Sequence, residues 1–232
     1  MPKFKVDIRL MGSAFELIII HHNESEANHL LQEGIAEIRR IEDLLTEFKE
    51  SSETSLLNKQ AGFQAVQVHD EVYRIIERSL AISATTQGAF DISAGVLKKL
   101  YNFKNQDFVL PTRDAIEETL KKVGYRHIKL MDDGKVYLDR KGMHIGFGAI
   151  GKGYAADKVK ELWLSRGVTA GVINASGDLT AWGKQDDGSN WKTGIADPDD
   201  ASRILMWLPI ENASVATSGD YEQFFEIDGI FC

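Results

Sequence analysis

The chain has 232 residues, 43% hydrophobic and 27% charged, an ordinary globular composition that excludes wholesale disorder. Its 27 Lys and Arg against 35 Asp and Glu leave a net charge of −8, which argues against non-specific nucleic-acid or polybasic membrane binding. One cysteine, Cys232, excludes an internal disulfide framework and a CxxC zinc site, and the most apolar stretch, Phe15 to Ile20, is too short to span a bilayer.

In chain order, Lys3 to Leu10 alternates apolar and charged residues and predicts a half-buried strand. Met11-Gly12-Ser13 forms a turn into a second strand, Ala14 to His21. Ser25 to Phe48 carries Leu30, Leu31, Ile35, Ile38, Ile41, Leu44, Leu45 and Phe48 at spacings of three and four, a long amphipathic helix with Asn23 or Ser25 as its cap. Lys49 to Gly62 is polar and reads as irregular, and Phe63 to Val68 as a short strand. Helices follow over Asp70 to Thr86, ended by Gly88, and over Thr112 to Lys122, closed by Gly124. Asp133-Gly134 between two alternating runs predicts a hairpin over His127 to Asp139. Gly151 to Arg166 is a fourth helix stopped by Gly167, and Val168 to Asn174 is a buried strand. From Leu179 onward short strands dominate, around Trp191 to Ala196, Ile204 to Ile210, Ser214 to Thr217 and Phe224 to Ile227. The mixture lacks a βαβ rhythm and predicts an α+β fold with mixed sheets and packed helices. No repeat, low-complexity tract or Pro/Ser linker marks a boundary, so residues 1–232 read as one unit, or as two intimately packed lobes.

Four glycine-containing clusters can carry chemistry. In Gly146 to Asp157 the glycines admit close backbone approach, a helix begins at Gly151, and Lys152 adds a full charge beside its free N–H groups. The spacing is neither a Walker A motif nor a dinucleotide fingerprint, and a tight turn under a sheet is the plainer alternative. Asn174-Ala175-Ser176-Gly177-Asp178 is a turn after a buried strand that can line a cleft. Ala216-Thr217-Ser218-Gly219-Asp220-Tyr221 offers small hydroxyls to a flavin edge or a phosphate, or is a bulged strand. Thr86-Gln87-Gly88-Ala89-Phe90-Asp91-Ile92-Ser93 places an aromatic beside an acceptor, or simply feeds the core. The six histidines form no ligand pair beyond the doublet His21-His22, and all read as solvated or singly bonded. No nucleophilic Ser-His-Asp or Cys-His arrangement can be argued, so no catalytic residue is assigned.

Taken in order, these clusters resemble the FAD:protein FMN transferase (ApbE) family, from Met11-Gly12-Ser13 through Thr46 to Asn58 to the last hairpin. The resemblance implies an α+β ApbE-like fold and Mg²⁺-dependent transfer of FMN from FAD to a Thr hydroxyl of an acceptor flavoprotein, with release of AMP. Hydrolysis of FAD to FMN and AMP, or flavin binding without transfer, are its alternatives. By position, Met11, Phe48, Ala89, Phe90, Asp91 and Lys152 would contact FAD, with Ser176, Asp178, Thr217 and Ser218 as further candidates, and Ala149 would offer its backbone carbonyl to the metal. Gly146 stands where the family usually has Asp. Asp228-Gly229, with only Ile230 to Cys232 after it, leads to the expectation that the chain stops before the family's C-terminal segment, which carries further metal ligands and a His-containing flavin segment. No signal peptide is visible, although relatives often work in the periplasm or on a lipid anchor.

Overall fold

The structure is a computed structural model that describes residues 1–98, 100, 110–197, 200, 203–217, 226–227 and 230–231. Its first half comprises β1 (Lys3–Leu10), β2 (Ser13–Ile20), α1 (Glu24–Leu45), α2 (Glu53–Lys59), β3 (Val66–Gln67), α3 (Asp70–Thr85), α4 (Gly95–Lys98), α5 (Arg113–Leu120), β4 (Ile128–Leu130) and β5 (Lys135–Leu138). Its second half comprises α6 (Gly151–Ser165), β6 (Gly171–Ala175), β7 (Asp178–Trp182), β8 (Trp191–Ala196), β9 (Ile204–Ile210), β10 (Ala213–Val215), β11 (Glu226–Ile227) and β12 (Ile230–Phe231). The chain divides into two compact units, Met1–Glu42 with Gly151–Cys232, and Asp43–Ile150. Among the described residues no helix is long and apolar enough to cross a membrane.

The first unit is built on a five-stranded sheet of order β1-β2-β6-β7-β10, in which every pairing is antiparallel. Period-2 patterning sorts β2 onto two faces. Phe15, Leu17 and Ile19 are buried on one. Ile18 and Ile20 join Ala170, Val172, Ala181, Trp191 and Ile210 in a cluster on the other, so the β8–β9 ribbon contributes to that layer. Helix α6 packs on β6 and β7. It ends in a Schellman motif: Gly167, at φ +83°, donates to the Leu164 carbonyl, and Val168 donates to that of Trp163 at 2.9 Å. Such antiparallel sheets with packed helices make the fold α+β, as the patterning predicts.

The second unit holds a three-stranded sheet of order β3-β5-β4 and helices α2 to α5. Val72, Ile75 and Ile76 of α3 and Val136 and Leu138 of β5 are buried. Ser79 and Ser83 lie buried on α3 without cost in unmet polarity, because each hydroxyl donates to the carbonyl four residues back, at 2.7 and 2.9 Å. Asn23 is the cap of α1, its Oδ1 accepting from Glu26 N at 3.0 Å.

Four local expectations are corrected. Helix α1 stops at Leu45 rather than running to Phe48, because Thr46 diverts the chain: its Oγ1 accepts from Phe48 N and its carbonyl accepts from Ser52 Oγ at 2.6 Å. The segment Lys49 to Gly62 is not irregular throughout, since Ser52 caps α2 by accepting from Ser55 N at 3.1 Å while Thr54 and Leu57 are buried. The strand expected over Phe63 to Val68 shrinks to Val66–Gln67, with Phe63 N held in a turn by the Gln60 carbonyl. The residue that turns out of α3 is Gln87, at φ +54°, with Gly88 N then bonded to the Ser83 carbonyl at 2.8 Å. Strands β11 and β12 pair across the Asp228-Gly229 position, while Phe224, Phe225 and Cys232 lie outside the described residues.

Candidate functional site

Within the first unit, register alone gathers the candidate residues at one end of the sheet. Leu10 pairs with Ser13, so Met11-Gly12 is a two-residue turn, and Ala175 pairs with Asp178, so Ser176-Gly177 is another. Phe15 pairs with Ala175, which sets both turns at the same end. The turns share a conformation: Met11 and Gly12 have φ of 51° and 73°, Ser176 and Gly177 of 57° and 97°, the left-handed pair of a type I′ hairpin. A side chain at the first position of such a turn costs on the order of 1–2 kcal/mol. Two such non-glycine residues side by side mark this edge as a place where local strain is tolerated.

Two further elements reach this edge. Lys152 lies in the first turn of α6, and its Nζ is 3.5 Å from Asp178 Oδ2. Val215 of β10 pairs with Leu179, so the chain beyond it runs toward the same turn, and a Cβ on Gly177 would lie 4.0 Å from Thr217 Cβ. Asn174 Oδ1 accepts from Gly177 N at 3.1 Å and shapes the turn. The structure therefore brings together Met11, Lys152, Ser176, Asp178 and Thr217, whereas Ser218 lies outside the described residues. Beside them is an open cavity of about 420 Å³, lined by Asp7, Arg9, Ala14, Glu16, Asn174 and Ser176 among others. Arg9 also bonds the Gly12 carbonyl at 3.2 Å, a second cation at this edge that the motif reading missed. Its signal was its place in the alternating strand, directly before a glycine turn. On the same strand pair Lys5 bonds Glu16, and that hydrogen bond raises the Lys5 pKa above its ordinary value.

Within the second unit the candidates divide by role. Phe48 is 89% exposed past the end of α1, and Ala89 and Ala149 are exposed, so each is open to a ligand. Phe90 is half-buried, its N–H bonded to Thr86 Oγ1 at 3.1 Å. Asp91 is committed to the protein: Oδ1 accepts from Ser93 N and Oγ at 2.8 and 2.7 Å, and Oδ2 accepts from Tyr125 N at 2.7 Å. Ser93 Oγ in turn accepts from Gly124 N at 2.8 Å. Asp91 thus ties the candidate loop to the turn before β4. Asp91→Ala leaves these donors unmet and is expected to cost about 2–3 kcal/mol by urea denaturation, with Asp91→Asn costing less. Unchanged stability would show that water replaces the carboxylate freely.

A second group, absent from the motif reading, surrounds Gly146. A Cβ there would lie 3.2 Å from Glu47 Oε1, so the Glu47 carboxylate fills the space beside this glycine. Glu47 is also bonded to His144 Nε2, and Asn58 bridges Ile145 through both amide atoms, at 2.7 and 3.0 Å. Asn58 Nδ2 also lies 3.4 Å from His144 Nε2. His144 is thus neither solvated nor singly bonded, a correction with a simple cause: the chain returns it to Glu47 across 97 residues. Ala149, the position that the resemblance gives to a metal through its carbonyl, is an exposed residue, and among the described residues the only grouping of three His, Cys, Asp or Glu ligand atoms within 4.8 Å of one another is His21, His22 and Glu26. One carbonyl does not make the six-oxygen shell that Mg²⁺ requires.

The framework of antiparallel sheets and packed helices, with two left-handed hairpin turns, a lysine at a helix start and an open cavity at one sheet end, is that of an α+β protein. Residues 11–231 match the ApbE family, and the chain belongs to that family. It is 32% identical over 222 residues to a FAD:protein FMN transferase of Klebsiella pneumoniae (strain 342), covering 95% of this chain and 67% of that protein. It is 30% identical over 221 residues to the FAD:protein FMN transferase of Treponema pallidum (strain Nichols), covering 89% of this chain and 61% of that protein. The fold superposes on an ApbE protein of Thermotoga maritima with a TM-score of 0.90 at 27% identity, over 99% of this chain and 74% of that one. The chain thus spans about two thirds of the length of the first of these curated relatives and 61% of the second.

Proposed function

We propose that this chain acts as a FAD:protein FMN transferase. It moves FMN from FAD, through the FMN phosphate, to a threonine hydroxyl of an acceptor flavoprotein, requires Mg²⁺, and releases AMP. The observation that carries this reading is the convergence of Met11, Lys152, Ser176, Asp178 and Thr217 at one sheet end in a chain of this family.

In the transfer a new bond forms between the threonine oxygen and the FMN phosphorus. The pyrophosphate bond to AMP breaks, AMP carries away the bridging oxygen, and the hydroxyl proton passes to solvent or a base. Such transfer needs positioning and charge stabilisation more than covalent help from the protein. Lys152 supplies a cation to the phosphates, and the first N–H groups of α6 lie beside it. The left-handed turns at Met11 and Ser176 keep backbone close to the ligand without bulky neighbours. Within the second unit, exposed Phe48 and half-buried Phe90 are rings of the kind on which an isoalloxazine can stack. Mg²⁺ would supply charge neutralisation at the phosphates, with the Ala149 carbonyl as one of its ligands.

The test is incubation with FAD, Mg²⁺ and a threonine-containing acceptor. A fluorescent acceptor band with one AMP released per flavin attached, lost when the threonine becomes alanine, is the expected result. AMP release without acceptor would assign FAD pyrophosphatase activity instead. FAD binding with neither product would assign a flavin-binding protein, a reading to which glycine at position 146 lends weight. Absence of FAD binding would overturn all three.

A further inference from the structure

We propose that His21, His22 and Glu26 form a binding site for a transition-metal dication of the Zn²⁺ type, at the corner where β2 passes into α1. The three ligand atoms lie within 4.8 Å of one another. The two imidazoles are stacked, with centroids 4.5 Å apart and planes 25° from parallel. Imidazole nitrogen with one carboxylate is a ligand set suited to borderline transition metals rather than to Mg²⁺.

Three features make the cluster more than a surface coincidence. First, His21 is held in place: its Nδ1 is 2.9 Å from the Asn23 carbonyl and 3.2 Å from the Asn23 N–H. With the proton on Nδ1 the shorter contact is a hydrogen bond to the carbonyl and the Nε2 lone pair is free, the tautomer that metal-bound histidines adopt when a backbone carbonyl orients them, whereas the Asn23 N–H contact belongs to the other tautomer. Second, Nε2 is 3.8 Å from Glu26 Oε2. That is too long for a hydrogen bond but close to the roughly 3.4 Å between two tetrahedral ligands about 2.1 Å from one ion. Third, the frame is fixed on both sides. His21 N donates to the Pro2 carbonyl at 3.1 Å, which anchors the strand end, and Asn23 caps α1 by accepting from Glu26 N, which anchors Glu26. Only His22 and Glu26, both exposed, have to rotate to close the shell, and water completes it. The positive end of α1 opposes a cation here, but Glu24 and Glu26 in its first turn offset that field.

An ion bound there clips the strand end to the helix start and stabilises the folded chain by linkage. This proposal is independent of the flavin reading, because its readouts need neither FAD nor an acceptor. The experiment titrates Zn²⁺ alone, in Mg²⁺-free buffer, into the full chain with any affinity tag removed, and follows heat and thermal unfolding. We expect one Zn²⁺ per chain with a Kd on the order of micromolar and a rise in Tm, with Mg²⁺ producing no such rise. His22→Ala and Glu26→Gln, at exposed positions that leave the fold intact, are each expected to weaken binding about 10-fold or more. Co²⁺ in place of Zn²⁺ should give a visible absorption band that His22→Ala diminishes. Identical Zn²⁺ isotherms for wild type and both variants, or no binding at about 100 µM Zn²⁺, would overturn the proposal.

Discussion

Trp163→Ala is expected to destabilise the protein by about 3–5 kcal/mol, read as a lower urea midpoint at unchanged slope. Trp163 is fully buried on α6, and its Nε1 donates to the Leu30 carbonyl of α1 at 2.8 Å. Its ring lies 6.0 Å from that of Trp182 on β7. One indole therefore touches a helix and a strand, and alanine removes its buried area, its hydrogen bond and the filling of the space at once. Gly34 is the other half of this contact. A Cβ at Gly34 would lie 2.7 Å from Trp163 Cζ2, so the glycine exists in mid-helix because the indole occupies the place of its side chain. This makes the prediction unusually specific. Gly34→Ala alone should destabilise, despite the roughly 1 kcal/mol that alanine gains over glycine in a helix. In the Trp163→Ala background the same change should be neutral or stabilising, since the clash is gone. A double-mutant cycle with no coupling would show that the two helices part freely at this point.

Lys152→Ala is expected to lower flavin transfer about 100-fold while leaving stability almost unchanged. The separation of the two effects is the point. Lys152 pairs with Asp178 at 3.5 Å, but their side chains are 25% and 37% exposed, and a pair so open to solvent contributes at most about 1 kcal/mol to the fold. Its position in the first turn of α6 instead suits an incoming phosphate, which would compete with Asp178 for the ammonium. Lys152→Arg should recover part of the rate, because charge is kept while reach and hydration change. The assay is fluorescence of the flavinylated acceptor with AMP release, run beside thermal unfolding of each variant. Wild-type transfer by Lys152→Ala would remove this lysine from the phosphate, whatever the protein's activity.

Local patterning made most of the fold legible. The alternation of Lys3 to Leu10 and the spacing of Leu30, Leu31, Ile35 and Ile38 reported β1 and α1, because a strand or helix with one buried face must carry that period. Element ends were less legible. Whether α1 passes Leu45 depends on Thr46 and Ser52 meeting each other's polar atoms, and the end of α3 on Gln87 accepting a conformation usually left to glycine. Those outcomes are settled by competing hydrogen bonds, which propensity does not rank.

The site follows the same division. The sequence by itself determined which residues could carry chemistry: a lysine at a helix start and small residues in glycine turns, with no internal disulfide and no nucleophilic triad that could be argued. Only the tertiary structure decided which of them stand together. Strand register put Met11 and Ser176 at one end of a sheet although 165 positions separate them along the chain, while hydrogen bonds from Ser93 and Tyr125 tie Asp91 to its own loop and packing sets the Glu47 carboxylate beside Gly146. The physical reason is that side-chain type is a local property, whereas proximity is set by which distant strands and helices bury one another, and that is fixed only when the whole core packs.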